Sequence, residues 1–296
     1  MIRLLTSLLP YLILVLLVAA RVSDPAPIEQ ARWLVFDTYQ KLKPRVFDPK
    51  LPVKIIDVDD ESLARHGQWP WPRIVLADLV ESLSKAQVAA IAFDMVFAEP
   101  DRSSPDQILG LWPQTLEVLA LRESVAVLPP HDEVFADALA QARAVTGFVG
   151  KDDGPGGQPE VRATFALAGD DPAPFLPNFK TAVVNLKDLE AEAIGNGAIN
   201  STPDRDQIVR RVPLVVRVED KLYPGLAAES LRVAQNARSN IIKSSGASGV
   251  LSYGQQTGVD TIKVGQFAIP TDAHGRIVAH YTGHRKERYI PAWQVL

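Results

Sequence analysis

Apolar and polar positions fall into blocks whose period shifts along the chain. Residues 4–20 (LLTSLLPYLILVLLVAA) carry no charge and lie between Arg3 and Arg21. A membrane-spanning helix needs roughly 17 to 25 apolar residues. The run therefore predicts a short N-terminal transmembrane helix over residues 1–22, with Pro10 tolerated near the helix start or as a kink. A secretory signal peptide with its apolar h-region is the other reading. The sequence after the run, Arg21-Val22-Ser23-Asp24-Pro25, has no clean small-x-small cleavage site, which favours the uncleaved anchor. Residues 28–42 then show helical spacing, with Ala31, Leu34, Val35, Thr38 and Leu42 near one face. Lys43-Pro44 ends it, because the residue before proline leaves the helical region. This helix is either a stalk, within a linker over 23–50, or the first core-packing helix.

From residue 51 onward the pattern alternates between strand and helix. Val53–Val58 predicts a buried strand, Pro72 a first helical turn, and Val75, Leu76, Leu79, Val80 and Leu83 a helix. Ala89–Val96 predicts a second strand covered on both faces. Helical signal recurs at 105–121 and 132–143, and strand signal at 124–128 and 144–149. Residues 151–159 and 169–177 are dense in Gly, Pro and Asp and read as loops around a strand near 161–167. Later strands are expected at 182–186, within 195–218, and at 261–264, 267–269 and 277–281, with a helix after Tyr223-Pro224-Gly225. Residues 236–260, rich in Ser, Gly and Gln, read as a variable or mobile insertion. The alternation predicts an α/β domain over 51–296, with a mostly parallel or mixed central sheet flanked by helices.

Composition narrows the function. The chain has 296 residues, 47% hydrophobic and 22% charged, as expected of a protein with a real core. A net charge of −4 speaks against a nucleic-acid partner, since that affinity comes from clustered Lys and Arg. With no cysteine, disulfides, Cys-ligated zinc and Cys nucleophiles are excluded. Charge leaves the membrane orientation near a tie: Arg3 and the amino terminus oppose Arg21 and Arg32, and a long following domain translocates largely regardless of charge.

The candidate chemistry concentrates in Val53–Arg73, VKIIDVDDESLARHGQWPWPR. Asp57, Asp59, Asp94, Glu99 and Asp101 form a carboxylate set suited to a hard divalent cation. Were the first two strands parallel neighbours, Asp57 and Asp94 would share a sheet edge, where ligand pockets form. The competing reading makes these side chains helix-entrance and turn carboxylates, satisfied by backbone N–H groups or by Arg73. Asp57-Val58-Asp59 with Gly169-Asp170-Asp171 also resembles a Mg-dependent haloacid-dehalogenase-type phosphatase. Asp60 and Glu61 depart from that pattern, and no phosphate-binding lysine motif lies between the two pieces. Trp69 and Trp71 suit either an aromatic ligand wall or a loop packed on the core. The five histidines are scattered, and neither a nucleophile elbow nor a Walker motif is present.

Six pieces in order resemble the CHASE2 domain, the extracytoplasmic sensor of bacterial transmembrane receptors. They are FDTYQKLKPR (36–45), IIDVDDESLARHGQWPWPR (55–73), AIAFDMVFAEPD (90–101), NSTPDRDQIVRRVPLVVRV (200–218), KLYPGLAAESLRVA (221–234) and IPTDAHGRI (269–277). Trp69, Pro70, Trp71, Pro72, Asp204, Arg210 and Arg211 are the signature positions within them. Two departures stand out: Gln207 replaces a usual turn glycine, and His280 a common asparagine. The resemblance implies a domain outside the plasma membrane after one N-terminal helix, anchored in lipid through residues 4–20. It implies a homodimeric receptor with an output after residue 296, most often a class III adenylate or guanylate cyclase and otherwise a histidine or serine/threonine kinase. It assigns this chain no catalytic residues and no cofactor, and leaves its small-molecule or ionic signal unidentified.

Overall fold

The computed structural model describes residues 2–23, 25–250 and 258–296, with the backbone alone at residues 2–8, 21 and 106. The chain divides into two units, Met1–Pro52 with His280–Glu287, and Val53–Ala279 with Arg288–Leu296.

In the first unit, α1 (Ile2–Ser23) contains Pro10, and α2 (Ala26–Leu42) follows Pro25. Among the described residues no helix is long and apolar enough to cross a membrane. The side chains of residues 4–8, part of the expected span, lie outside the described residues. Those of Leu9, Leu12, Leu14 and Leu16 are exposed. α2 buries none of its residues, so it is not a core-packing helix. Its Phe36 and Gln40 meet His280 and Tyr281. The Phe36 ring lies 6.2 Å from His280, and Gln40 Oε1 accepts from the Tyr281 N–H at 3.1 Å. The expected apolar stripe is left outward, with Leu34, Val35 and Leu42 exposed.

The second unit is a mixed α/β assembly of several small sheets. It runs β1 (Ile55–Asp57), α3 (Asp60–His66), α4 (Arg73–Lys85), β2 (Ile91–Ala92), α5 (Pro105–Gly110), α6 (Leu116–Val125), α7 (His131–Ala140) and β3 (Ala144–Lys151). Then follow β4 (Thr164–Ala168), β5 (Asn178–Phe179), β6 (Thr181–Val183), α8 (Lys187–Glu192), β7 (Gly195–Ala198), β8 (Arg211–Pro213), β9 (Val215–Val218), β10 (Lys221–Pro224) and α9 (Leu226–Ala234). The chain closes with β11 (Ser239–Ser244), β12 (Val259–Val264), β13 (Phe267–Pro270), β14 (Arg276–Val278), β15 (Tyr289–Pro291) and α10 (Ala292–Val295).

β3 is the organising strand. It pairs in parallel with β2 and β7 and antiparallel with β6. Its run AVTGFVGK is covered on both faces, as its near-continuous apolar character requires. Gly147 admits the segment after β2 to this strand: a Cβ there would stand 2.8 Å from the Phe93 carbonyl oxygen. α4 and α7 bury their apolar stripes together with Phe93, Phe97 and Trp71 in one core cluster. A second core forms on the sheet β13-β12-β11-β4, around Ile242, Ile262 and Val264.

Several expectations are corrected. Among the described residues there is no single central sheet; the strands fall into separate small ones. β1 is not buried on both faces, and its parallel partner is β15, not β2. Asp57 and Asp94 therefore do not share one sheet edge. Residues 124–128 are not a strand but the end of α6 and the turn after it, because the helix capped by Thr115 runs as far as Val125. Pro72 is the N-cap of α4, one residue before its first turn. Residues 236–260 contain β11, whose Ile242 is fully buried; residues 251–257 lie outside the described residues. Gln207 adopts φ +64°, the left-handed conformation for which glycine is the ordinary choice, so the turn is kept without the glycine.

Candidate functional site

The acidic corner separates into distinct local roles. Asp59 caps α3: its Oδ1 accepts from the Ser62 N–H at 2.9 Å and from Ser62 Oγ at 2.6 Å. These bonds, the side-chain one foremost, hold its carboxyl below the usual carboxylate range. Ser62 is fully buried, and its Oγ also accepts from the Trp293 N–H at 3.1 Å. The Arg65 guanidinium lies 3.7 Å over the Trp293 ring. Together with the β1–β15 ladder, Ile55 to Pro291, these contacts bind the corner to residues 289–296. Asp57, at the end of β1, is exposed.

Trp71 is 1% exposed, and its Nε1–H donates to the Gly67 carbonyl at 2.8 Å. Its ring meets His66 and Trp69 at 5.6 and 6.0 Å. Trp69, joined to Pro70 by a cis peptide bond, is half-exposed. Pro72 delivers the chain into α4, where Arg73 meets the second carboxylate group. Asp101 Oδ2 accepts the Arg73 N–H at 2.6 Å, and Oδ1 accepts the Ser103 N–H and Oγ–H at 2.8 and 2.7 Å. Burial pushes the Asp101 carboxyl up, but the bonds from Arg73 and Ser103 outweigh it and leave the group below the usual range.

Asp132 accepts the Asp101 N–H at 2.8 Å and pairs with Arg73 Nε at 3.3 Å. His131 Nδ1 stands 3.2 Å from Asp101 Oδ2. The Arg73 guanidinium lies 4.5 Å over Phe97 and donates to the Glu99 carbonyl. Arg73 and Asp101 thus meet in one polar junction. The Glu99 carboxylate points elsewhere, to Arg102 at 3.0 Å, and Asp94 is exposed. Among the described residues no three His, Asp or Glu side chains stand close enough to hold a metal ion. Asp132 and His131 were missed in the sequence. Their signal is the Pro130-His131-Asp132 helix entrance, which places an acid at the start of α7 as Pro72-Arg73 places a cation at the start of α4.

Asp204, Arg210 and Arg211 form a second junction. Asp204 accepts from Arg210 at 3.1 Å and from Arg211. Arg210 also makes a two-pronged contact with Asp206 at 2.9 and 2.6 Å, although its side chain is only 2% exposed. That contact lowers the Asp206 carboxyl to about 2. The Arg210 carbonyl accepts the Ala279 N–H at 2.8 Å, linking the turn to the segment after β14.

A cleft of about 300 Å³ lies beside α4, lined by His66, Asp78, Glu81, Ser82, Lys85 and Leu296 among others. None of the carboxylates singled out in the sequence lines it. The second unit is thus a mixed α/β module with polar junctions tying its helix entrances to distant segments. The chain belongs to the CHASE2 domain family, which matches residues 12–296. CHASE2 domains are extracytoplasmic sensor domains of signalling proteins. No curated protein and no solved structure matches the chain.

Proposed function

We propose that this chain is the sensing region of a membrane-bound receptor, anchored through residues 4–20, with its domain outside the plasma membrane. Its output follows residue 296 and is a class III adenylate or guanylate cyclase, or in the alternative a histidine or serine/threonine kinase. The receptor works as a homodimer. The observation that carries this reading is the family match over residues 12–296. The contacts of Ile55–Ser62 with residues 289–296 support it, because they give the domain a mechanical path toward a following segment. A signal moves that path only through differential affinity for two conformations.

A second reading, a periplasmic binding protein, differs in output alone: it would have none. The phosphatase reading fares worse. Asp59 is committed to capping α3, while Asp171 Oδ1 accepts the Ala173 N–H in its own loop. The test is a thermal-shift screen of the full chain in detergent against divalent cations and small solutes, run beside a phosphatase assay. The sensor reading expects a saturable rise in Tm with one solute class and no turnover. Phosphatase turnover lost in Asp57→Asn contradicts it.

A further inference from the structure

Glu190 of α8 is 5% exposed and belongs to neither junction described above. Its Oε1 accepts from Asn196 Nδ2 at 3.1 Å and from Asn185 Nδ2 at 3.4 Å. Its Oε2 accepts the backbone N–H of Glu160 at 3.1 Å. All three donors are neutral amides. The guanidinium of Arg162 lies nearby but donates to the carbonyls of Glu190 and Ala191, and it pairs with the Glu160 carboxylate at 3.2 Å. A buried carboxylate normally has a cation for a partner, because ionisation out of water is costly.

The same carboxylate joins four parts of the fold. Asn196 sits on β7. Asn185 donates to the Gly147 carbonyl of β3 at 2.9 Å and accepts the Phe97 N–H at 2.8 Å. Glu160 belongs to the segment 158–163, which leads into β4. That segment is anchored at its start, where Gly157 and Ala182 exchange backbone bonds, and by Tyr223 Oη–H on the Pro159 carbonyl at 2.9 Å.

We propose that Glu190 is a proton-operated latch on the segment 158–163. Ionised, it accepts all three amides and holds the Glu160 N–H against α8. A proton taken from solvent onto Oε2 forms an O–H there and removes the negative charge, leaving Oε2 a weaker, uncharged acceptor for the Glu160 N–H. Oε1 keeps both asparagines, and the singly bonded Glu160 arm is the one released. No other bond is made or broken.

The surroundings fit this device. Burial is the largest influence on the Glu190 carboxyl and raises it above the ordinary glutamate range; the amide bonds offset it only in part. Tyr223 is pushed up to about 12, by burial first and then by the charges of Glu190 and Glu219. The Glu229 carboxylate, beyond β7, is paired with Arg232 at 2.6 Å. On α7, which packs against α8, His131 and Asp132 are engaged at Asp101, and Glu133 and Asp137 are its other ionisable groups. Lys187, Asp188 and Glu192 complete α8 itself, Lys151 ends β3 and Lys221 begins β10.

The sign follows from the raised value. The stability that Glu190 contributes is full below the ordinary glutamate value and is lost as pH rises through the raised folded value. Acidification in that window therefore strengthens the fold through this group while loosening one local arm. General acid unfolding moves every amide in one direction and does not give this pair of effects.

The proton as a signal rests on the sensor reading, whereas the latch is tested whether or not the chain signals. Hydrogen–deuterium exchange of the full chain in detergent is followed by mass spectrometry at pH 5, 6 and 7, with intrinsic rates corrected. The peptide covering 158–163 is expected to exchange at least about tenfold faster at pH 5 than at pH 7, while β3 peptides keep their protection. Glu190→Gln is expected to remove the pH dependence. Equal corrected rates across the range, or an unchanged profile in Glu190→Gln, overturn the latch. Should that variant not fold, the wild-type profile alone decides. A latch confirmed by exchange in a receptor that ignores pH would leave this inference standing and remove the proton as its signal.

Discussion

Replacing Trp71 by alanine lowers the unfolding free energy by about 3–5 kcal/mol, the range for truncating a fully buried aromatic side chain. The cost has two sources here. The indole belongs to the buried core cluster that includes Leu76, Phe97 and Phe135, so truncation leaves a cavity there. Its Nε1–H also satisfies the Gly67 carbonyl at the end of α3, so truncation removes a partner at a helix terminus. Trp71→Phe keeps most of the volume and loses the bond, for a smaller loss of about 1–2 kcal/mol. Trp69→Ala costs less than Trp71→Ala, because Trp69 is 38% exposed. Urea unfolding of the full chain in detergent, with the denaturant slope unchanged among variants, reads this order directly. Equal losses at both tryptophans would show a shared aromatic wall instead of one core residue and its cover.

Asp204→Ala is expected to cost about 3 kcal/mol, the low end for breaking a buried ion pair. Its carboxylate is 6% exposed and serves both Arg210 and Arg211. The penalty falls at the low end because Arg210 keeps its two bonds to Asp206. Asp206→Ala is milder, since that carboxylate is 43% exposed and screened by water. Arg210→Met in the Asp204→Ala background should recover part of the loss, because it removes the stranded charge. The acid behaviour has a definite sign. Asp206 is depressed in the fold, so its stabilising contribution is complete above the ordinary aspartate value and disappears as pH falls through about 2. An Asp206→Asn chain should lack this part of the acid transition, which pH-dependent urea midpoints measure.

What could be read in the sequence depended on whether an element buried a simple apolar pattern. α4 and α7 present helical stripes to one core, and β3 is largely apolar over Ala144–Val149, so all three were legible. β7 has only Gly, Asn and Ala, small residues that let Leu226 of α9 approach Gly197; nothing in that string marks a strand. β11 was obscured by its inward Asn240 and Ser244, which break the alternation that Ile242 begins. β1 was recognised, but its partner β15 comes from the far end of the chain, and pairing over that distance leaves no local mark.

The site shows the same division. Acidic residues at a helix entrance or in a turn could be named from their positions, as with Asp59 and Asp101. Which of them met was decided by tertiary packing: Arg73 and Asp101 come together, while Asp57 and Asp94 lie on strands of different sheets or beside them. Glu190 was invisible because its partners are two asparagines and a backbone amide in separate elements, none with a characteristic spacing.

An anchored sensor domain outside the membrane has a definite topology, which a reporter fusion reads. The full chain is expressed in a Gram-negative host with alkaline phosphatase or green fluorescent protein fused after Leu296. Active phosphatase, dark fluorescent protein, and retention in the membrane fraction after a high-salt wash are expected. Bright fluorescence with inactive phosphatase, from chain recovered in the soluble fraction, would contradict it.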